Sequence, residues 1–170
     1  MGMIETEIMA VGDDAYRSQY EIVFPSGIPG GGSNLLLSLR QKGTFDPPEH
    51  GVVTYEVIKK GQKVVKPGGA EEVDKMFVLT FRVDQLWKVY DDLYAWKQLV
   101  YNEDTGSPGQ SSRYRTTVIV RNLNENNIPL ASFKFTGTFL QKLKVTEMDN
   151  ESGEPVEVEA TFYFVRMKKE

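Results

Sequence analysis

Lys75-Met76-Phe77-Val78-Leu79-Thr80-Phe81-Arg82-Val83 places Phe77, Leu79, Phe81 and Val83 on one side of an extended chain and Thr80 and Arg82 on the other, the period-2 signature of a strand with one dry face. The next residues change period. Leu86, Val89, Tyr90, Leu93, Trp96, Lys97 and Val100 recur at three- and four-residue spacing, with Asp84 placed to cap a helix that ends near Asn102. The block from Glu71 to Gly106 therefore reads as a strand that passes straight into an amphipathic helix, and its apolar stripe needs a sheet to cover it. Leaving Leu86, Leu93 and Trp96 in water costs roughly 1.5–3 kcal/mol for each large apolar side chain.

Outward from this block the chain reads as β. Tyr20 to Phe24 alternates and stops at Pro25, and Ser26 to Ser33, with Gly30-Gly31-Gly32, reads as a flexible connector. Asn34 to Arg40 is a further strand. Val52 to Ile58 and Gln62 to Val65 flank Lys59-Lys60-Gly61, a hairpin with glycine where the turn needs positive φ, closed by Pro67-Gly68-Gly69. Asp104 to Ser112 is a loop. Strands are expected over Tyr114 to Arg121, Pro129 to Phe139 and Val156 to Met167, with Phe133, Phe135 and Phe139 sharing one face and Val158, Ala160, Phe162 and Phe164 another. The fold class is mainly β, a sandwich or barrel with one flanking helix, in a single domain over residues 1–170; residues 1–19 form an arm and 42–69 a protruding loop and hairpin.

Composition narrows the function. The 170 residues include 40% hydrophobic and 11% aromatic side chains, enough for a core, and no cysteine, so disulfide and thiolate-metal chemistry are excluded. The acidic N-terminus lacks the apolar core of a signal peptide, and no run approaches the length that spans a bilayer, so no membrane insertion is expected. His50 is the single histidine and has no nucleophile or acid at a diagnostic spacing. The glycine run lacks the Lys-Ser/Thr ending of a phosphate loop, and Asp149 to Glu154 misses calcium-loop spacing, reading as a polar turn. The expectation is a non-enzymatic protein without metal or cofactor. Free sheet edges and a lysine-rich hairpin suit an assembly subunit. A soluble ligand- or carbohydrate-binding domain using Tyr16, Tyr94, Tyr101 and Tyr114 as stacking platforms is the alternative from another class.

Glu72 through Trp96, the hairpin Tyr55 to Gly69, Phe133-Lys134-Phe135-Thr136-Gly137-Thr138-Phe139-Leu140 and the closing strand Val156 to Val165 together resemble the tail tube proteins of contractile-tailed phages and related contractile injection systems. The resemblance covers about residues 20 to 166 as an order of elements. It implies a structural subunit of an inner tail tube in stacked hexameric rings, with sheath and baseplate proteins as partners and DNA or effectors passing through the channel. It places the protein in a virion tail assembled in the host cytoplasm. A baseplate or tube-initiating or terminating component of the same fold is the nearest alternative. The resemblance implies that Phe77, Leu79, Phe81, Leu86, Leu93 and Trp96 form the helix–sheet core. Thr80, Arg82, Thr117, Arg121, Lys134, Thr136, Glu157 and Glu159 are the lumen candidates. Ring stacking falls to Thr44, Phe45, Asp46, Glu49, His50, Lys59 and Lys60 with the arm. An acidic wall is expected for such a channel, yet this set mixes Arg82, Arg121 and Lys134 with Glu157 and Glu159.

Overall fold

A computed structural model describes residues 20–32, 41–42, 45–71, 75–151 and 153–170; the arm, the residues 33–40 and Thr44 lie outside that set. Among the described residues eleven strands and two helices follow in order: β1 (Tyr20–Val23), β2 (Gln41–Lys42), β3 (Val52–Lys59), β4 (Gln62–Glu71), β5 (Met76–Arg82), α1 (Lys88–Val100), β6 (Tyr101–Asn102), β7 (Ser107–Pro108), α2 (Ser111–Tyr114), β8 (Thr116–Leu123), β9 (Pro129–Val145), β10 (Glu157–Tyr163) and β11 (Arg166–Lys169). The main sheet is antiparallel in the order β1-β8-β9-β10-β5-β2, with β11 also on β9; β3–β4 and β6–β7 are separate hairpins. The architecture is the expected mainly β fold with one long helix.

β9 organises the molecule. Its 17 residues outrun the expected end at Phe139, and its pairing slips three times, between the Thr116 and Val118 and between the Asn122 and Leu123 positions of β8, and between Thr161 and Phe162 of β10. The first slip sits at Gly137, whose φ of +67° only glycine adopts without strain. The phase of β9 inverts there: Phe135 is buried, but beyond the glycine Thr138 and Leu140 point inward and Phe139 points out. The expectation that Phe139 shares a face with Phe133 and Phe135 is therefore wrong by one residue. Thr138 tolerates burial because its hydroxyl donates to the Phe135 carbonyl at 3.1 Å.

The bends fold the sheet onto itself. In a flat sheet Phe77 on β5 and Phe135 on β9 would sit two strands, about 10 Å, and five residues, about 16 Å, apart. Their ring centroids are 4.8 Å apart. Two four-stranded leaves result, β1-β8-β9-β11 using the first half of β9 and β9-β10-β5-β2 using its second half. Between them lie Ile22, Val118, Val120 and Phe135 from one leaf, and Phe77, Leu79, Phe81, Val158, Ala160 and Phe162 from the other. Helix α1 inserts Val89, Leu93 and Trp96 into the same core. Trp96 packs on Phe24 and Phe162 at 6.1 and 5.3 Å and donates its indole N–H to the Tyr114 carbonyl at 2.7 Å.

Strand and helix are not directly fused. Val83 to Trp87 forms a turn closed by Trp87 N–H to the Asp84 carbonyl at 3.0 Å, and Trp87 takes a left-handed φ of +57°. Asp84 still caps, but across the turn, its carboxylate accepting from Val89 N–H at 3.2 Å. Leu86 is thereby thrown onto the turn's outer side and is 84% exposed, so it is not a helix–sheet core residue, unlike Phe77, Leu79, Phe81, Leu93 and Trp96, which are buried. The glycine segment is not a free connector either. Ile28 is buried, and Gly30 and Gly32 lie so close to α1 that an added Cβ would meet Ala95 at 3.3 Å and Asp92 at 3.1 Å.

Candidate assembly surfaces

The polar positions of each strand form two outward surfaces, one per leaf. On the β9-β10-β5-β2 leaf, Arg82 stands opposite Glu157, and Glu159 lies between Thr80 and Lys144. Thr161 lies between Val78 and Lys142 in the next row. These rows place opposite charges side by side, the favourable cross-strand arrangement. On the other leaf Thr117, Arg121, Lys134 and Thr136 face out. Arg121 pairs with Glu21 at 3.4 Å, and Lys134 stands directly opposite Lys168 with Glu170 at 3.7 Å.

The eight lumen candidates thus divide by leaf. Thr80, Arg82, Glu157 and Glu159 share one surface, and Thr117, Arg121, Lys134 and Thr136 the other, with the core between them. The fold at Gly137 turns those surfaces away from each other, so the two sets do not share one surface. Lys142 and Lys144 belong with the first set and were not foreseen, because they lie beyond the expected end of the strand at Phe139. Among the described residues the outer strands are β1 and β11 in one leaf, and β2 and the second half of β9 in the other.

The β3–β4 hairpin is exposed along nearly its whole length. Lys60 and Gly61 carry φ of +51° and +76°, the two-residue turn whose twist matches its strands. Its pairing continues past Pro67 to Glu71, with an irregularity between Val52 and Thr54. Eight residues of β3 reach about 26 Å. Apolar side chains are exposed on both faces, Ile58 at 75% and Val65 at 60%, with Tyr55 and Val64 on the other side. Lys59 and Lys60 are exposed at the tip, and Lys63 pairs with Glu56 at 2.9 Å. At the hairpin's base Lys75 Nζ bridges Glu71 at 2.9 Å and the Val165 carbonyl at 3.0 Å. The hydrogen bond and charge of Lys75 hold the Glu71 carboxyl below its ordinary range, with His50 and Arg166 adding smaller charge contributions.

The loop before the hairpin splits the remaining stacking candidates. Asp46, Glu49 and His50 are exposed, and Glu49 and His50 line an open cleft of about 530 Å³ with Glu71 and Lys75. Phe45 instead packs edge-on against Phe77 and Phe135 at 5.8 and 5.9 Å, so it is part of the core and not of a contact surface. Thr44 lies outside the described residues, as does Tyr16. Tyr94, Tyr101 and Tyr114 form no common platform: Tyr94 stacks on Tyr90, while Tyr114 packs against Phe139 and carries Arg115 over its ring at 5.7 Å. Among the described residues no group of three or more acidic or histidine side chains converges to hold a metal, and no helix is long and apolar enough to cross a membrane.

The fold aligns with several solved structures. A chain of the PVC extracellular contractile injection system sheath–tube complex in the extended state aligns with a TM-score of 0.61 and 15% identity, covering 97% of both chains. This is a tail-tube-like fold. A chain of the tube-terminating cap of the anti-feeding prophage aligns at 0.63 and 14% identity, over 94% of this chain and 92% of that one. A chain of the PVC sheath/tube terminator aligns at 0.63 and 13%, over 94% and 99%. No family model and no curated protein matches the sequence. The resemblance read from the order of elements holds at the level of fold.

Proposed function

We propose that this chain is a structural, non-enzymatic subunit of the inner tube of a contractile tail or injection system, forming stacked hexameric rings around a channel. The observation that carries the reading is the alignment over nearly the whole chain to a sheath–tube complex, joined to a leaf whose outer strands among the described residues are β2 and the second half of β9. Edge-to-edge pairing of neighbouring copies closes such leaves into a ring and removes edges that would otherwise template aggregation. The β9-β10-β5-β2 leaf suits the channel wall: its Arg82–Glu157 and Thr80–Glu159–Lys144 rows are polar and charge-compensated, so a passing polymer finds no run of one sign to hold it. Sheath and baseplate proteins are the partners on the outside, DNA or effectors the cargo, and a tail the place of assembly.

The similar alignments to a cap and a terminator support a second reading, a component at the end of a tube. Negative-stain microscopy of concentrated protein separates them. A tube subunit gives rings that grow into tubes, an end component stops at a ring, and a monomer at every concentration overturns both.

A further inference from the structure

We infer that the outward face of the β1-β8-β9-β11 leaf is a basic docking face for an acidic segment of another protein. The register assembles it. Arg166 stands opposite Thr136, and Lys168 opposite Lys134, which in turn faces Ile119. Arg166 and Lys168 share the exposed side, because Met167 between them packs against the core. The face continues past the pivot to Arg115, which donates through Nη1 to the Gly137 carbonyl at 2.7 Å and through Nε to Ser111 Oγ at 2.8 Å. The rings of Phe139 and Tyr114 lie under the same guanidinium at 5.0 and 5.7 Å. Held on two edges and one face, Arg115 is pre-organised for an anion. It opens, with Arg113, onto a cleft of about 410 Å³ that Ser26, Ser112 and Thr117 also line and that has no carboxylate in its wall.

The charge of this face is uncompensated on a chain whose formal net charge is −4. Among the described residues Arg113, Arg115 and Lys168 have no ion-pair partner, whereas Arg121 has Glu21 at 3.4 Å and Lys134 has Glu170 at 3.7 Å. Lys134 and Lys168 repel each other across the ladder, which weakens the free sheet. An anion laid over that pair relieves the repulsion, so the feature that costs the free chain stability favours an acidic occupant. Protein is favoured over nucleic acid. Single strands are held by bases stacked on open rings, and here Arg115 covers those of Tyr114 and Phe139. Duplexes are held by long tracks of phosphate contacts, and the surface beyond this face is net acidic. The leaf is about 14 Å across its four strands, so an extended segment of four or five residues spans it.

The test needs only the folded chain, so its failure leaves the tube reading intact and a failure to form rings leaves this inference intact. A fluorescein-labelled hexaglutamate peptide is titrated with the full chain at low salt and followed by anisotropy. It should bind, and raising salt to about 1 M, where the screening length is roughly 3 Å, should release it. Arg113→Gln/Lys168→Gln should weaken binding on the order of tenfold. Lys142→Gln/Lys144→Gln, on the opposite leaf, should leave it unchanged. Because Arg113 and Lys168 hold no ion pair and Lys168 repels Lys134, the first variant should melt no lower than wild type, which separates lost binding from lost folding. No binding, an equal loss in the opposite-leaf variant, or a lower melting temperature in Arg113→Gln/Lys168→Gln overturns the inference. Tighter binding of hexadeoxythymidylate than of the peptide overturns it in favour of nucleic acid. Self-association that Arg113→Gln/Lys168→Gln abolishes in sedimentation overturns it in favour of a second copy.

Discussion

Gly137→Ala tests the fold at its pivot. Gly137 has φ +67°, and a Cβ there would lie 2.7 Å from Val165 Cγ2 and 3.2 Å from Val165 Cβ. An L-residue in the left-handed region costs about 1–2 kcal/mol. Forcing a methyl into a closed contact adds about 1–3 kcal/mol. The expected loss is about 2–5 kcal/mol, a fall in Tm of roughly 5–15 °C for a chain of this size, measured by calorimetry at fixed concentration so that assembly does not shift the transition. The two contributions separate experimentally. Val165 is half exposed, so Val165→Ala alone should change stability by no more than about 0.5–1 kcal/mol. In the Gly137→Ala/Val165→Ala protein the steric part is relieved and the backbone part stays, a coupling of about 1–3 kcal/mol. A Tm for Gly137→Ala within a degree or two of wild type refutes the claim that this residue sets the bend. Strict additivity of the two substitutions refutes the steric half alone.

Leu93→Ala should cost about 2–5 kcal/mol by chemical denaturation, whereas Leu86→Ala, on the exposed outer side of its turn, should stay within about 0.5 kcal/mol; equal losses would restore Leu86 to the core. The Glu103 carboxyl is held below its ordinary value of 4.5 by the hydrogen bond and charge of Lys97, with a smaller contribution from Tyr94. Its carboxyl resonance should titrate with a midpoint under 4.5, and Lys97→Met should return it there. A depressed native value means that the pair's contribution is present above about pH 4.5 and is lost as pH falls through the lowered value. In assembled tubes Thr80→Cys should react with a small maleimide and resist a bulky one, while Thr136→Cys should not share that size dependence; the reverse result exchanges the roles of the two leaves.

Much of the fold was legible because period-2 patterning survives wherever one strand face is buried. The buried faces of β5 and β10 match their readings, with Phe77, Leu79 and Phe81 meeting Phe162, Ala160 and Val158 in register, although the strand expected over Val156 to Met167 breaks at Phe164 and Val165 into β10 and β11. The two-residue turn at Lys60-Gly61 was legible from its glycine. What escaped were changes of phase. Phe139 appeared to continue the face of Phe135, yet one glycine between Thr136 and Thr138 inverts it, and an interior glycine in a strand of aromatic and β-branched residues is the one available signal for such a bulge. Leu86 fitted helical spacing, but spacing does not report the left-handed Trp87 that starts α1 two residues later.

The candidate site inherits those phase errors on a larger scale. Thr80 and Thr136 both alternate with buried neighbours, so the sequence marks both as wet and offers nothing to say that their wet sides part company. That information lives in the Phe77–Phe135 contact, between residues 58 apart in the chain, and in the bulges that permit it. A strand pattern therefore identifies which residues face water, whereas the pivot decides which of them share a surface. The charge puzzle of the lumen set follows the same logic: Arg121 and Lys134 belong to the opposite leaf, each beside its own glutamate. Once they are removed, Arg82 faces Glu157 and Lys144 faces Glu159 across the remaining leaf, and the mixture of signs becomes cross-strand compensation within one surface.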